Sequence, residues 1–151
     1  MVVFAIHKRV IKHLKENFPN AVKVDGSVTQ KQTQEAVDNF QNDPNIQLFI
    51  GNIRAAGVGL TLTAASNVAI IQFPWSPSVL NQAIDRVHRI TQKKQVTAWN
   101  LVGENTIEER ILNILRNKES IISQVLDGEI IEDKSVMMEL IESYKEIKIE
   151  N

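Results

Sequence analysis

The sequence predicts an α/β fold, a three-layer sandwich whose mostly parallel sheet lies between two layers of helices. Two observations predict it. Short segments at Val2–Ile6, Ala21–Asp25, Ile46–Ile50, Val68–Phe73 and Val96–Val102 are apolar over most of their length rather than alternating, the pattern of strands covered on both faces. Amphipathic stretches separate them in the order β-α-β-α-β-loop-β-α-β-α, which calls for crossover connections of one hand and a parallel sheet.

Each element has a local reason. Val2 to Ile6 is a continuous apolar run. Lys8 to Asn17 carries Val10, Ile11 and Leu14 at helical spacing, and Pro19 stops it. Gly26-Ser27 is a turn, with Ser27 or Thr29 available to cap a helix that buries Ala36, Val37 and Phe40 and reaches about Asn42, where Asp43-Pro44-Asn45 breaks it. A loop with Gly51, Gly57 and Gly59 follows the third strand. Ser76-Pro77 opens a helix, a good cap before a favoured first-turn proline. Thr106 and Glu109 have capping-box spacing ahead of a long helix that buries Ile107, Ile111, Ile114, Leu115, Ile122 and Val125 and ends at Asp127-Gly128. The chain is expected to divide at residue 127, with 128–151 an acidic tail whose helix runs from Glu132 to Asn151.

Composition narrows the function classes. The 151 residues are 43% hydrophobic and 23% charged with a net charge of -1, which reads as globular rather than disordered. Residues 1–126 hold 14 basic against 10 acidic side chains, and residues 127–151 hold 3 against 8. A mildly basic body permits nucleic-acid binding without demanding it. No cysteine is present, which excludes disulfides, thiolate metal sites and cysteine nucleophiles and is compatible with a reducing compartment. No apolar run approaches the ~18 residues of a membrane span, and the start does not read as a signal peptide.

The most informative stretch is Asn81 to Arg89. On a helix, Val79, Leu80, Ala83, Ile84 and Val87 form one apolar stripe, and Gln82, Asp85, Arg86 and Arg89 share the opposite face. Two guanidinium groups on one rigid helix suit the charge on a transferring phosphoryl group, because their planar forks stay charged and match phosphate oxygens. The same face also fits a solvated surface with Asp–Arg pairs. Arg54 to Thr63 contains Gly57 and Gly59, small enough for close backbone approach to a ligand, although a tight connection explains them equally well. No GxxxxGK[ST] phosphate loop, no acidic run at a strand end, no metal-spaced histidines among His7, His13 and His88, and no GxSxG elbow occur. An autonomous hydrolase is therefore poorly supported.

These residues resemble a known family, the second RecA-like lobe of the SNF2-family ATPases in helicase superfamily two. Gln82-Ala83-Ile84-Asp85-Arg86-Val87-His88-Arg89-Ile90-Thr91-Gln92 is similar to the family's motif VI, QAxDRxHRIGQ. Arg54 to Leu60 resembles motif V, Trp75-Ser76-Pro77 the WNP element, Asp25-Gly26-Ser27 the DGS turn, Val3 to His7 motif IV, and Thr106 to Ile111 the TIEERI start of a closing helix. The likeness runs from about residue 2 to 127, and Gly59-Leu60-Thr61 with Asp85 to Arg89 looks closest to an annealing-helicase-like branch. Thr91 stands where the family has glycine, and Thr33 where it often has arginine.

The resemblance implies a RecA-like helicase C-terminal lobe of a two-lobed DNA translocase, with ATP held between lobes. The first lobe would supply the phosphate loop and most of the Mg²⁺ site, and this chain reads as an excised or shortened second lobe. Arg86 and Arg89 would be arginine fingers. Gln82 and Asp85 would orient them, and Gly57 and Gly59 would border the nucleotide. His7, Lys8, Gly26, Ser27, Arg54 and Trp75 would lie near double-stranded DNA, although Trp75 also fits a core anchor at a strand end. The implied partners are duplex DNA and the first lobe, with no membrane. The implied setting is intracellular, either cytoplasmic of bacterial or phage-like kind or nuclear. The competing reading is a stand-alone nucleic-acid-binding module without ATPase activity.

Overall fold

All four residues of the first strand, β1 (Val2–Ala5), are buried, and this apolar run forms the middle of the sheet. The computed structural model describes residues 1–55, 59–126 and 138. After β1 come α1 (Lys8–Asn17), β2 (Val22–Val24), α2 (Gln30–Asn42), β3 (Phe49–Asn52), β4 (Asn67–Ile70), α3 (Pro77–Ile84), β5 (Thr97–Asn100) and α4 (Ile107–Leu126). The strands form one sheet in the order β2-β3-β1-β4-β5, and every pairing is parallel.

Register decides which side chains share a face. Val2 lies opposite Phe49 and Phe4 opposite Gly51, so these four share one face. Phe40 of α2 meets Phe49 there edge-on, with ring centroids 5.5 Å apart, a favoured aromatic geometry. On the other face, Ala5 and Ile50 pack with Ile11 of α1 and with Ala21, flanked by Val10, Leu14 and Leu48. Helices therefore cover both faces, as apolar strands require. A Cβ on Gly51 would sit 2.9 Å from Phe4 Cε1 and 3.1 Å from Phe49 Cε1. Only glycine leaves room for both rings.

The chain divides into two compact units, Met1–Pro74 with Ser78–Leu101, and Trp75–Pro77 with Val102–Asn151. The first holds the sheet, α1, α2 and most of α3. In it, Thr29 caps α2 through a full capping box with Gln32, while the Ser27 hydroxyl is spent on Asp25. Strand β3 starts three residues later than the apolar run suggests, at Phe49, which pairs with Val2, and runs on through Gly51 and Asn52, which pair with Phe4 and Ala5 of β1.

The second unit holds α4, which buries Ile111, Leu112 and Leu115. Ile107, expected inside, is 42% exposed, and Leu112 is buried although the apolar spacing did not select it. The start of α4 differs from the expected capping box. The Thr106 hydroxyl donates to Gly103 O at 2.7 Å, and the Glu109 carboxylate accepts the N–H of Asn105 at 3.0 Å, with Asn105 in the left-handed region at φ 59°. The expected side chains Ile122 and Val125, the stop at Asp127-Gly128 and the acidic tail lie outside the described residues, Met138 apart.

Candidate functional site

In a parallel sheet the carboxyl ends of all strands face the same way, and loops bearing function collect there. His7 and Lys8 follow β1, Gly26 and Ser27 follow β2, and Arg54 follows β3; all five are exposed. Two buttresses fix this edge. Gln72 Oε1 accepts the N–H groups of Ile6 and His7 at 3.0 and 2.9 Å. Asn52 donates to Ile6 O at 2.6 Å and accepts the N–H groups of Arg54 and Ala55 at 2.9 and 3.1 Å. The His7 side chain makes no capping bond at the start of α1, which leaves its ring at the surface. Trp75 belongs to the other unit and is 41% exposed, so it is not the core anchor that an aromatic residue at a strand end suggests.

The turn after β2 is held by a charge. Asp25 is buried, takes the backbone N–H of Ser27 at 2.9 Å and its hydroxyl as well, and pairs with Lys23 Nζ at 3.1 Å. The Ser27 hydroxyl and N–H, with Lys23 beside them, hold its carboxyl down to about 2, against an opposing push from burial. A carboxyl lowered on folding stabilises the fold above its unfolded value of 3.8, and that stabilisation disappears as pH falls towards 2. Asp25→Asn is therefore expected to lose on the order of 1–2 kcal/mol at neutral pH. Urea midpoints measured from pH 6 to pH 2 should show the variant and the parent converging below about pH 3.

Helix α3 places the residues of greatest interest. Leu80, Ala83 and Val87 are buried, while Gln82 and Asp85 are exposed. The helix ends at Ile84, earlier than expected. Asp85 N still bonds Asn81 O, but Arg86 N and Val87 N bond Ala83 O and Ile84 O, a tightened turn. Arg86 and Arg89 thus stand on a turn beyond the helix and not on one helical face. The turn nevertheless brings them together. Gln82, Asp85, Arg86 and Arg89 line one open groove of about 880 Å³, with Thr61, His88, Ile90 and Thr91. Arg86 is half-buried and Arg89 exposed.

A backbone contact holds the turn beyond the helix. Leu62 N donates to Arg86 O at 2.8 Å, a carbonyl that a continuing helix would offer to the N–H four residues on. Arg89 Nη1 donates to Thr61 Oγ1 at 3.0 Å. Gly59, at φ +75°, turns the chain into this segment in a conformation that favours glycine. Gly57 lies outside the described residues. Thr61, His88 and Ile90 are site residues that sequence reasoning passed over. Ile90 is fully exposed, and an apolar residue directly after Arg89 was the available signal. Among the described residues, no group of three or more His, Cys, Asp or Glu side chains is placed to hold a metal ion. No described helix is long and apolar enough to cross a membrane.

A parallel sheet with helices on both faces, and an arginine-bearing groove on a turn after α3, define the RecA-like class of helicase lobe. The model of the helicase conserved C-terminal domain matches residues 1–91, and the chain belongs to that family as the C-terminal lobe of an SNF2-type ATPase. It is 41% identical over 107 residues to the chromatin-remodeling ATPase INO80 of Homo sapiens, covering 71% of this chain and 7% of that protein. It is 34% identical over 128 residues to INO80 of Saccharomyces cerevisiae, covering 85% of this chain and 9% of that one. The chain thus spans less than a tenth of the length of these relatives. The crystal structure of the C-terminal part of the Fun30 ATPase domain superposes with a TM-score of 0.70 at 31% identity, over 74% of this chain and 37% of that one. None of these proteins carries an annealing-helicase name.

Proposed function

We propose that this lobe completes the ATP site of a DNA-dependent motor, with Arg86 and Arg89 as arginine fingers that stabilise charge on the transferring phosphoryl group. The convergence of both arginines with Gln82 and Asp85 on one open groove carries the reading. Gln82 and Asp85 orient the guanidinium groups, and Gly59 borders the nucleotide. The groove fits phosphate, offering planar cationic donors that match its oxygens. Mg²⁺, when bound, neutralises phosphate charge, and its ligands belong to the first lobe. Duplex DNA lies along His7, Lys8, Gly26, Ser27 and Arg54 at the strand ends; Trp75, in the other unit, is a separate candidate for DNA contact. Exposed cations and backbone N–H groups at such an edge suit a phosphate backbone. The INO80 relatives are chromatin-remodeling ATPases of Homo sapiens and Saccharomyces cerevisiae, which favours a nuclear setting and lends nothing to a bacterial or phage-like one.

The test is reconstitution. The chain alone is expected to show no ATP turnover above background. Mixed with the first lobe of its own motor, Mg²⁺ and duplex DNA, it should turn over ATP, and omission of DNA should lower the rate. Turnover by the chain alone would refute the division of labour. A reconstituted pair without turnover, with salt-dependent duplex binding by the chain alone, would favour the stand-alone binding module.

A further inference from the structure

We propose that Gln41 and Gln92 are positioning residues for the arginine pair, acting through the Thr61–Ala65 segment between them; this rests on the finger reading above. Thr61–Ala65 is irregular chain, yet both of its sides are tied. From α2, Gln41 Nε2 donates to Thr61 O at 3.1 Å and to Thr63 Oγ1 at 3.3 Å, while its Oε1 accepts Ala64 N–H at 2.6 Å. From beyond the arginine turn, Gln92 Nε2 reaches Ala65 O at 2.6 Å, and Thr63 O and Val87 O at 3.2 Å each. Its Oε1 takes the N–H of Lys94 at 2.9 Å, and its own N–H bonds Arg89 O at 2.8 Å.

Both anchors need a carboxamide. Gln41 holds a carbonyl and an N–H of the segment at once, and Gln92 holds two segment carbonyls while its oxygen takes the Lys94 N–H, so each uses both ends of one planar amide. The tied segment then presents two groups to the arginine turn. Leu62 N–H holds the Arg86 carbonyl, and Thr61 Oγ1 holds the Arg89 guanidinium. Gln92 also grips the turn directly at Val87, between the two arginines. Neither glutamine lines the groove, so their effect is on where the guanidinium groups stand and not on contact with phosphate.

The experiment uses the intact motor with duplex DNA. Gln92→Met and Gln41→Met keep length and bulk while losing both hydrogen-bonding ends. Each should lower kcat by about tenfold or more, since small misplacement of a catalytic group is costly. KM for ATP should move by less than about threefold, as for an interaction made chiefly in the transition state. Melting temperature should fall by no more than a few degrees. Gln92→Glu should fail to restore kcat, because a carboxylate cannot donate to carbonyls. Combining Gln92→Met with Thr61→Val should cost less than the product of the single effects, because both lie on one chain of contacts. Unchanged kcat in both Met variants, with Arg89→Ala inactive, overturns the proposal and leaves the finger reading standing. A fall in kcat that tracks lost melting temperature, with multiplicative double effects, overturns it as mere fold damage. Normal kcat in Arg89→Ala overturns the finger reading itself and the proposal with it.

Discussion

Arg86→Ala or Arg89→Ala in the intact motor is expected to lower DNA-stimulated kcat by roughly 10³-fold, the scale of removing an arginine finger. Two features of the site give the expectation its shape. Both side chains line the same groove, so neither substitution should be compensated by the other. Their settings differ, however. Arg86 is half-buried and its carbonyl is held by Leu62 N–H, whereas Arg89 is exposed. Arg86→Ala should therefore lower the melting temperature slightly, and Arg89→Ala should leave it unchanged. Lysine at either position keeps the charge and loses the planar fork, so it should recover only part of the activity. Steady-state turnover with ATP and duplex DNA, beside a thermal melt of each variant, checks all of these. A variant of either arginine that retains the parental kcat would falsify the assignment.

Phe49→Ala should be the most damaging single change to the fold. The ring is fully buried, meets Phe40 edge-on at 5.5 Å and presses on the space that Gly51 leaves open. Removing it forfeits the transfer energy of the ring and leaves a cavity between rigid neighbours, about 3–5 kcal/mol in comparable cores. That is a large part of the ~5–15 kcal/mol that holds an ordinary domain folded. The contrast is Phe18→Ala. Phe18 is 51% exposed, and its loss should change stability by less than about 0.5 kcal/mol. Urea unfolding followed by circular dichroism measures both; equal losses would mean that the Phe4–Phe40–Phe49 cluster is not the mechanical centre of the sheet.

The fold was legible where a local rule and tertiary packing agree. The spacing of Val10, Ile11 and Leu14 and the stop at Pro19 place α1 at its observed bounds, Lys8–Asn17. Thr29 caps α2 as one of the two candidates should. The rules failed where a distant contact decides. An apolar-run argument centres the third strand on Ile46–Ile50, yet Gly51 and Asn52 are recruited because β1 pairs with them. Nothing between Ile84 and Arg89 breaks a helix by propensity. The turn that replaces it is held from Leu62, more than twenty residues away in sequence, whose N–H takes the Arg86 carbonyl. That Arg86 and Arg89, which line one groove, belong together was readable from their spacing and the likeness of motif VI. Their support was not, because Gln41 reads as one more polar residue on a helix surface, and nothing in a single sequence pairs it with Thr61.

The central position of β1 has a consequence for how the protein is made. Of the five strands of this sheet, Val2–Ala5 is made first, and its partners on either side begin only at Phe49 and Val68. At ordinary elongation rates that gap amounts to on the order of several seconds, during which the strand lacks both of its sheet partners. No local hairpin can rescue it, since a parallel pair needs an intervening crossover. The centre of the sheet can therefore close only after about residue 70 has been made, and the strand order sets a late step for assembly of the core.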